Sequence, residues 1–129
     1  MARLDEITRR LRRECPWDRE QDERSIVPHT VEEAGELAEA AVRGDDPGMV
    51  EELGDVLFQV VFLALLLEER GAGDLAGVID GLNEKLIRRH PHVFGDAKAE
   101  TTAEVREIWK RVKAEERGAS LGNEGERPG

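Results

Sequence analysis

Apolar residues recur along this chain at the three- and four-residue intervals of an α-helix, and their density peaks near the middle. A first helix is predicted over about 4–13, ended where Pro16 interrupts the chain in "CPWD". Valines and alanines at positions 27, 31, 34, 38 and 41 make one stripe of a second helix, about 25–43. "GDDPG" at 44–48 reads as a turn. The third helix, about 49–70, is apolar nearly all round after its first turns and is therefore predicted to be central and buried. Within 56–67 its only polar residue is Gln59.

"GAGD" at 71–74 separates this helix from a fourth, which reaches about residue 89 and carries Leu75, Val78, Ile79, Leu82 and Leu86 as its stripe. "HPHVFGD", with Pro91 and Gly95, reads as a loop. Thr101 and Glu104 have capping-box spacing and open a fifth helix with Val105, Ile108, Trp109 and Val112 on its inner face. The glycine-rich polar end, "RGASLGNEGERPG", predicts a disordered tail over 117–129 behind a single helical domain over 1–116.

Composition sharpens this picture. A chain of 129 residues with 4% aromatics, no tyrosine and 37% charged residues suits an all-α bundle better than a β-sandwich. The formal charge of −10 argues against nucleic acid as a partner. Cys15, a lone cysteine, has no intramolecular partner for a disulfide and reads as a small hydrophobe in a reducing compartment. The start, "MARLDEITRRLRRE", has no apolar core of the signal-peptide kind. The 56–67 run is shorter than the roughly 20 residues that cross a bilayer. The expectation is a soluble cytoplasmic protein without a membrane partner.

The acids are oddly placed for such a protein. At about 100° per residue, Glu33 falls beside Ile26 and Leu37 at the edge of the apolar stripe, with Glu36 a little further round and Glu32 on the far side. On the third helix Glu52, Asp55, Gln59, Phe62, Leu63 and Leu66 share one strip. If the two helices form a hairpin through "GDDPG", the acidic pairs face each other. Converging carboxylates repel one another and resist desolvation, and a divalent cation bound through oxygen, Mg²⁺ or Mn²⁺, relieves both. The duller alternative is a solvated acidic surface, with "TVEE" at 30–33 serving as a capping box.

On the fourth helix Arg89 lies within the apolar stripe, Lys85 borders it and Arg88 points away. Cations there either pair with acids, complement the helix dipole, or meet phosphate groups of a ligand. Trp109 is most simply core. Trp17, beside Pro16, either plugs the bundle end or stacks on a base. His90 and His92 flank Pro91 and read as loop-stabilising residues.

"CPWDREQ" (15–21), "VEEAGEL" (31–37), "EELGDVLFQVVF" (51–62), "KLIRRHPHVFGD" (85–96) and "EVREIWKRVKAEE" (104–116) together resemble the MazG nucleoside triphosphate pyrophosphohydrolases. The resemblance spans roughly 4–116, with five motifs in order. It implies an all-α bundle whose four-helix core is completed by a homodimer or higher oligomer. The E-E-x-x-E and E-x-x-D signature is met by Glu32, Glu33, Glu36, Glu52 and Asp55. What the resemblance implies is Mg²⁺ on Glu33, Glu36, Glu52 and Asp55, Mn²⁺ being a substitute, with Glu32 a further ligand or a guide for the attacking water. Lys85 and Arg89 match triphosphate-binding positions and Trp109 an aromatic near the base, while Arg88, Asn83 and Trp17 are further substrate-binding candidates. The long form of the family carries two such modules, and this chain is similar to the N-terminal one.

The implied reaction is hydrolysis of a nucleoside triphosphate to monophosphate and pyrophosphate, by attack of water at the α-phosphorus. Lys85 and Arg89 would stabilise the leaving pyrophosphate, and Glu32 or Glu33 is the candidate base. Nucleotide-pool housecleaning is the implied role. A narrow-substrate relative acting on dUTP or phosphoribosyl-ATP shares these motifs, and a non-catalytic nucleotide- or protein-binding module would share the fold.

Overall fold

The structure, a computed structural model, describes the backbone of residues 1–122. Those residues form α1 (Ala2–Glu14), α2 (Pro16–Glu20), α3 (Glu23–Arg43), α4 (Asp46–Glu69), α5 (Leu75–Arg89), α6 (Pro91–Phe94) and α7 (Thr102–Gly122). The all-α prediction holds. The chain divides into two compact units, Met1–Val78 and a second beginning at Ile79, so that the boundary falls inside α5.

The first unit is organised by the α3–α4 hairpin. Asp22 caps α3: its carboxylate accepts from Ser25 N at 2.9 Å, while Asp22 N donates to Ser25 Oγ at 2.8 Å. The helix therefore starts ahead of Thr30, which is an interior residue, and "TVEE" is no cap. Gly44 ends α3 in the left-handed region at φ 70°, where a side chain is strained. Asp45 then caps α4, accepting from Gly48 N at 3.1 Å, so that α4 begins at Asp46 with Pro47 in its first turn and the expected 44–48 turn shrinks to Gly44 and Asp45. The core between the helices is Ile26, Phe62 and Leu66, with Phe58 and Leu63 packed against it.

α4 departs from the expectation of all-round burial. Val61, Phe62, Ala64, Leu65 and Leu66 are buried, yet Val50, Leu53, Leu57 and Val60 are exposed. Among the described residues of the first unit, one face of this helix is covered. α1 docks on its C-terminal end: Arg9 pairs with both carboxylate oxygens of Glu68 and Arg12 with both of Glu69. Arg12 also donates to the carbonyls of Asp18 and Gln21 and lies over the Phe62 ring at 5.7 Å, strapping α2 to the core.

In the second unit Ile108 and Val112 of α7 are buried, and Val105 and Trp109 half-buried, as the periodicity predicted. Thr101 Oγ1 accepts from Glu104 N at 3.2 Å, so the predicted cap is present. On α5 the residues of the apolar stripe Val78, Ile79, Leu82 and Leu86 are all exposed. α7 runs on to Gly122, past residue 117 where the glycine-rich composition placed its end. The remainder of the predicted tail, 123–129, lies outside the described residues.

Candidate metal and phosphate-binding residues

Glu33 and Glu36 come from the middle of α3, Glu52 and Asp55 from the second and third turns of α4. The antiparallel packing of these helices brings Glu33, Glu36 and Glu52 together, each offering a carboxylate oxygen within 4.8 Å of the others. All three are half-buried. Asp55 is exposed and stands outside that group of three, but its charge acts on both Glu33 and Glu52. Glu32 is exposed, as its angular position predicted.

The electrostatics of the cluster are unfavourable as it stands. Desolvation, followed by the charges of Glu36 and Asp55, pushes the Glu33 carboxyl above its usual range. Glu52 is pushed up to about 7, first by desolvation, then by hydrogen bonding with Glu36 and the charges of Glu36, Asp55 and Glu33. Glu33 Oε2 and Glu52 Oε2 are buried with no hydrogen-bond partner. Buried acceptors are normally satisfied, and ionised carboxylates are acceptors only. A hard divalent cation with oxygen preference meets both requirements, so the donor set fits Mg²⁺ or Mn²⁺.

The second unit holds the predicted cations. Arg89 donates to Glu116 on α7, with Nη2 to Oε1 at 2.9 Å, and Arg88 Nε reaches Glu116 Oε2 at 2.7 Å. Hydrogen bonds from Arg89 and Arg88 hold the Glu116 carboxyl down at about 2. Ion pairing is therefore the state seen for both arginines, through an acid that sequence reasoning did not single out. The signal was available: Glu116 lies one turn beyond Val112 on the inner side of α7. Lys85 and Asn83 are exposed on α5.

Trp109 packs edge-on against His90 at 5.6 Å, and His90 lies 5.4 Å from His92. His90 Nδ1 is 2.6 Å from the Leu86 carbonyl, which fits the predicted stabilising part. Trp109 Nε1 and His92 Nδ1 are buried without partners. Trp17 belongs to α2 rather than a loop, is exposed, and meets the His29 ring edge-on at 5.7 Å.

The profile of the MazG nucleotide pyrophosphohydrolase domain matches residues 21–94, which takes in the four acids, Lys85 and both arginines. The chain belongs to that family. Among curated relatives, a nucleoside triphosphate pyrophosphohydrolase of Escherichia coli (strain K12) is 46% identical over 118 residues, covering 89% of this chain and 45% of the relative. The nucleoside triphosphate pyrophosphohydrolase/pyrophosphatase MazG of Thermotoga maritima is 51% identical over 104 residues, covering 81% of this chain and 39% of the relative. The chain thus spans less than half the length of these relatives. A solved structure, the crystal structure of a mazG-related protein from Thermotoga maritima, superposes with TM-score 0.75 at 31% identity, covering 88% of this chain and 99% of that one. Among the described residues no helix is long and apolar enough to cross a membrane.

Proposed function

We propose that this MazG-family chain hydrolyses nucleoside triphosphates to monophosphate and pyrophosphate, using a divalent ion held by Glu33, Glu36, Glu52 and Asp55. The observation that supports this most is the half-buried group of Glu33, Glu36 and Glu52, in which two carboxylate oxygens have no protein partner. The chemistry a Mg²⁺ or Mn²⁺ ion supplies when bound is neutralisation of phosphate charge and a more acidic bound water.

The chain's own residues have separate tasks. Glu32, exposed next to Glu33, orients the attacking water or accepts its proton. Lys85 and Arg89 bind the phosphates, and Arg89 exchanges part of its pairing with Glu116 for phosphate oxygens. Arg88 and Asn83 are further contacts, and Trp109 and Trp17 offer aromatic surface to a base. The exposed stripes on α4 and α5 support a homodimer or higher oligomer. A cytoplasmic housecleaning role agrees with a small acidic chain acting on free nucleotides rather than nucleic acid.

The test is release of monophosphate and pyrophosphate from a panel of canonical and modified NTPs and dNTPs, with dUTP and phosphoribosyl-ATP included, under Mg²⁺, Mn²⁺ or EDTA. Metal-dependent appearance of both products, lost in EDTA, is the expected result. Turnover of dUTP or phosphoribosyl-ATP alone would instead identify a narrow-substrate enzyme. Silence from folded protein across the panel would leave a binding module.

A further inference from the structure

Gln59 is the only polar residue in the 56–67 run of α4, and it is buried at 8% exposure. Its carboxamide oxygen accepts a hydrogen bond of 2.9 Å from Thr30 Oγ1 on α3. Thr30 lies one helical turn before Glu33, and Gln59 one turn after Asp55 and two after Glu52 on the same strip. The bond therefore stands between the apolar core of Ile26, Phe62 and Leu66 and the acidic cluster.

We propose that Thr30 and Gln59 are positioning residues for that cluster, their hydrogen bond fixing the rotation and register of α3 on α4 at which Glu33, Glu36 and Glu52 converge. This rests on the reading of the cluster as a cation site. The tight Gly44–Asp45 turn limits how far α3 can slide on α4, and the contacts beside the cluster set the rotation less sharply. Apolar packing by Ile26, Phe62 and Leu66 is non-directional, so it tolerates small rolling of one helix on the other. The carboxylates repel one another and drive the helices apart. A directional bond has one satisfied arrangement, and a shift of one turn, about 5.4 Å, takes the buried Gln59 carboxamide oxygen away from Thr30, whose hydroxyl keeps only the Ile26 carbonyl of its own helix at 3.3 Å. A single buried polar residue sets register in paired helices in this way.

The test uses the whole chain and Mn²⁺ alone, with binding followed by electron paramagnetic resonance and calorimetry far below the melting temperature. The informative variant is the double substitution Thr30→Val with Gln59→Leu. Replacing both partners by apolar groups leaves no orphaned polar atom, so its melting temperature stays near that of the wild type. Its Mn²⁺ dissociation constant is expected to rise about tenfold, the lower end of what the loss of an outer-shell partner produces. Thr30→Ser keeps the hydroxyl and is expected to bind Mn²⁺ within about twofold of the wild type, as losing a methyl group but no ligand-orienting bond implies. A stable double variant that binds Mn²⁺ as tightly as the wild type overturns the inference while leaving the metal site intact. A wild-type chain that binds no Mn²⁺ overturns the metal reading and this inference with it.

Discussion

Glu52 bears the strain of the acidic cluster, and its behaviour without metal is a direct check on the electrostatics. Its carboxyl is raised from the ordinary 4.5 to about 7, so the folded state holds a proton that the unfolded chain has released over that interval. In metal-free protein stability should fall as pH rises from about 4.5 to 7 and level off above it. Glu52→Gln removes the titrating group. Thermal melts in EDTA should show the slope diminished and the variant more stable than the wild type at pH 8, while added Mg²⁺ no longer raises its melting temperature. Equal slopes for both proteins would show that the cluster is not desolvated in solution. Glu36→Ala and Asp55→Ala test the ligand assignment: each should cut kcat/KM by more than the roughly 10–100-fold loss typical of an outer-shell partner, with the helical fold retained. At this scale the sequence was informative, because helical periodicity puts Glu33 and Glu52 on inward strips. What it could not show is that three carboxylates approach closely while Asp55 remains exposed, since that depends on how far α3 and α4 separate.

The helices themselves were legible where apolar period and caps agreed, as in α3, α4 and α7, and misread where proline acts in two ways. Pro16 does end α1, but it also occupies the first position of α2, where its fixed φ and missing donor are no handicap. Pro91 opens α6 in the same manner, turning an expected loop into a short helix. The start of α3 was missed by two residues because the Asp22–Ser25 box precedes the apolar stripe. Asp22→Ala should lower stability by about 1 kcal/mol, the usual effect of losing an N-cap, read as a shift of the denaturant midpoint at constant slope. Glu116 ties α7 to the end of α5: helical spacing puts it on the inner side of α7, but its partners Arg88 and Arg89 are adjacent in sequence and so fall on different faces of α5, and spacing alone does not name them as one pair of partners. Since Glu116 is held down at about 2, its contribution is present above the ordinary carboxylate range and is lost as pH falls from about 4.5 toward 2. Glu116→Gln should flatten that acid limb of the stability curve. An unchanged acid limb would mean that the arginines do not hold this carboxylate in solution.

For the molecule as a whole, the largest unexplained quantity is apolar surface. Val50, Leu53, Leu57 and Val60 follow the 3-4-3 spacing of a helix-packing seam on α4, and each is at least 40% exposed. Val27 and Val31 on α3 are exposed as well. An exposed apolar seam of this kind marks an interface. Period alone reported that α4 is apolar nearly all round, and it could not say whether the cover comes from the same chain or another copy. The structure answers for one face only, the one packed on Ile26. A second copy of the chain is the cover expected from the homodimer proposed above, because α4 is antiparallel to α3 and a self-complementary pairing about a two-fold axis would build a four-helix core. Sedimentation velocity at micromolar concentration should therefore find dimers or larger species. Leu53→Glu with Leu57→Glu places charges in the seam, remote from the core of Ile26, Phe62 and Leu66, and should yield monomers that keep their helical circular-dichroism spectrum. A wild-type chain that sediments as a monomer would assign the seam to a different macromolecule and remove the homo-oligomer from the proposed function.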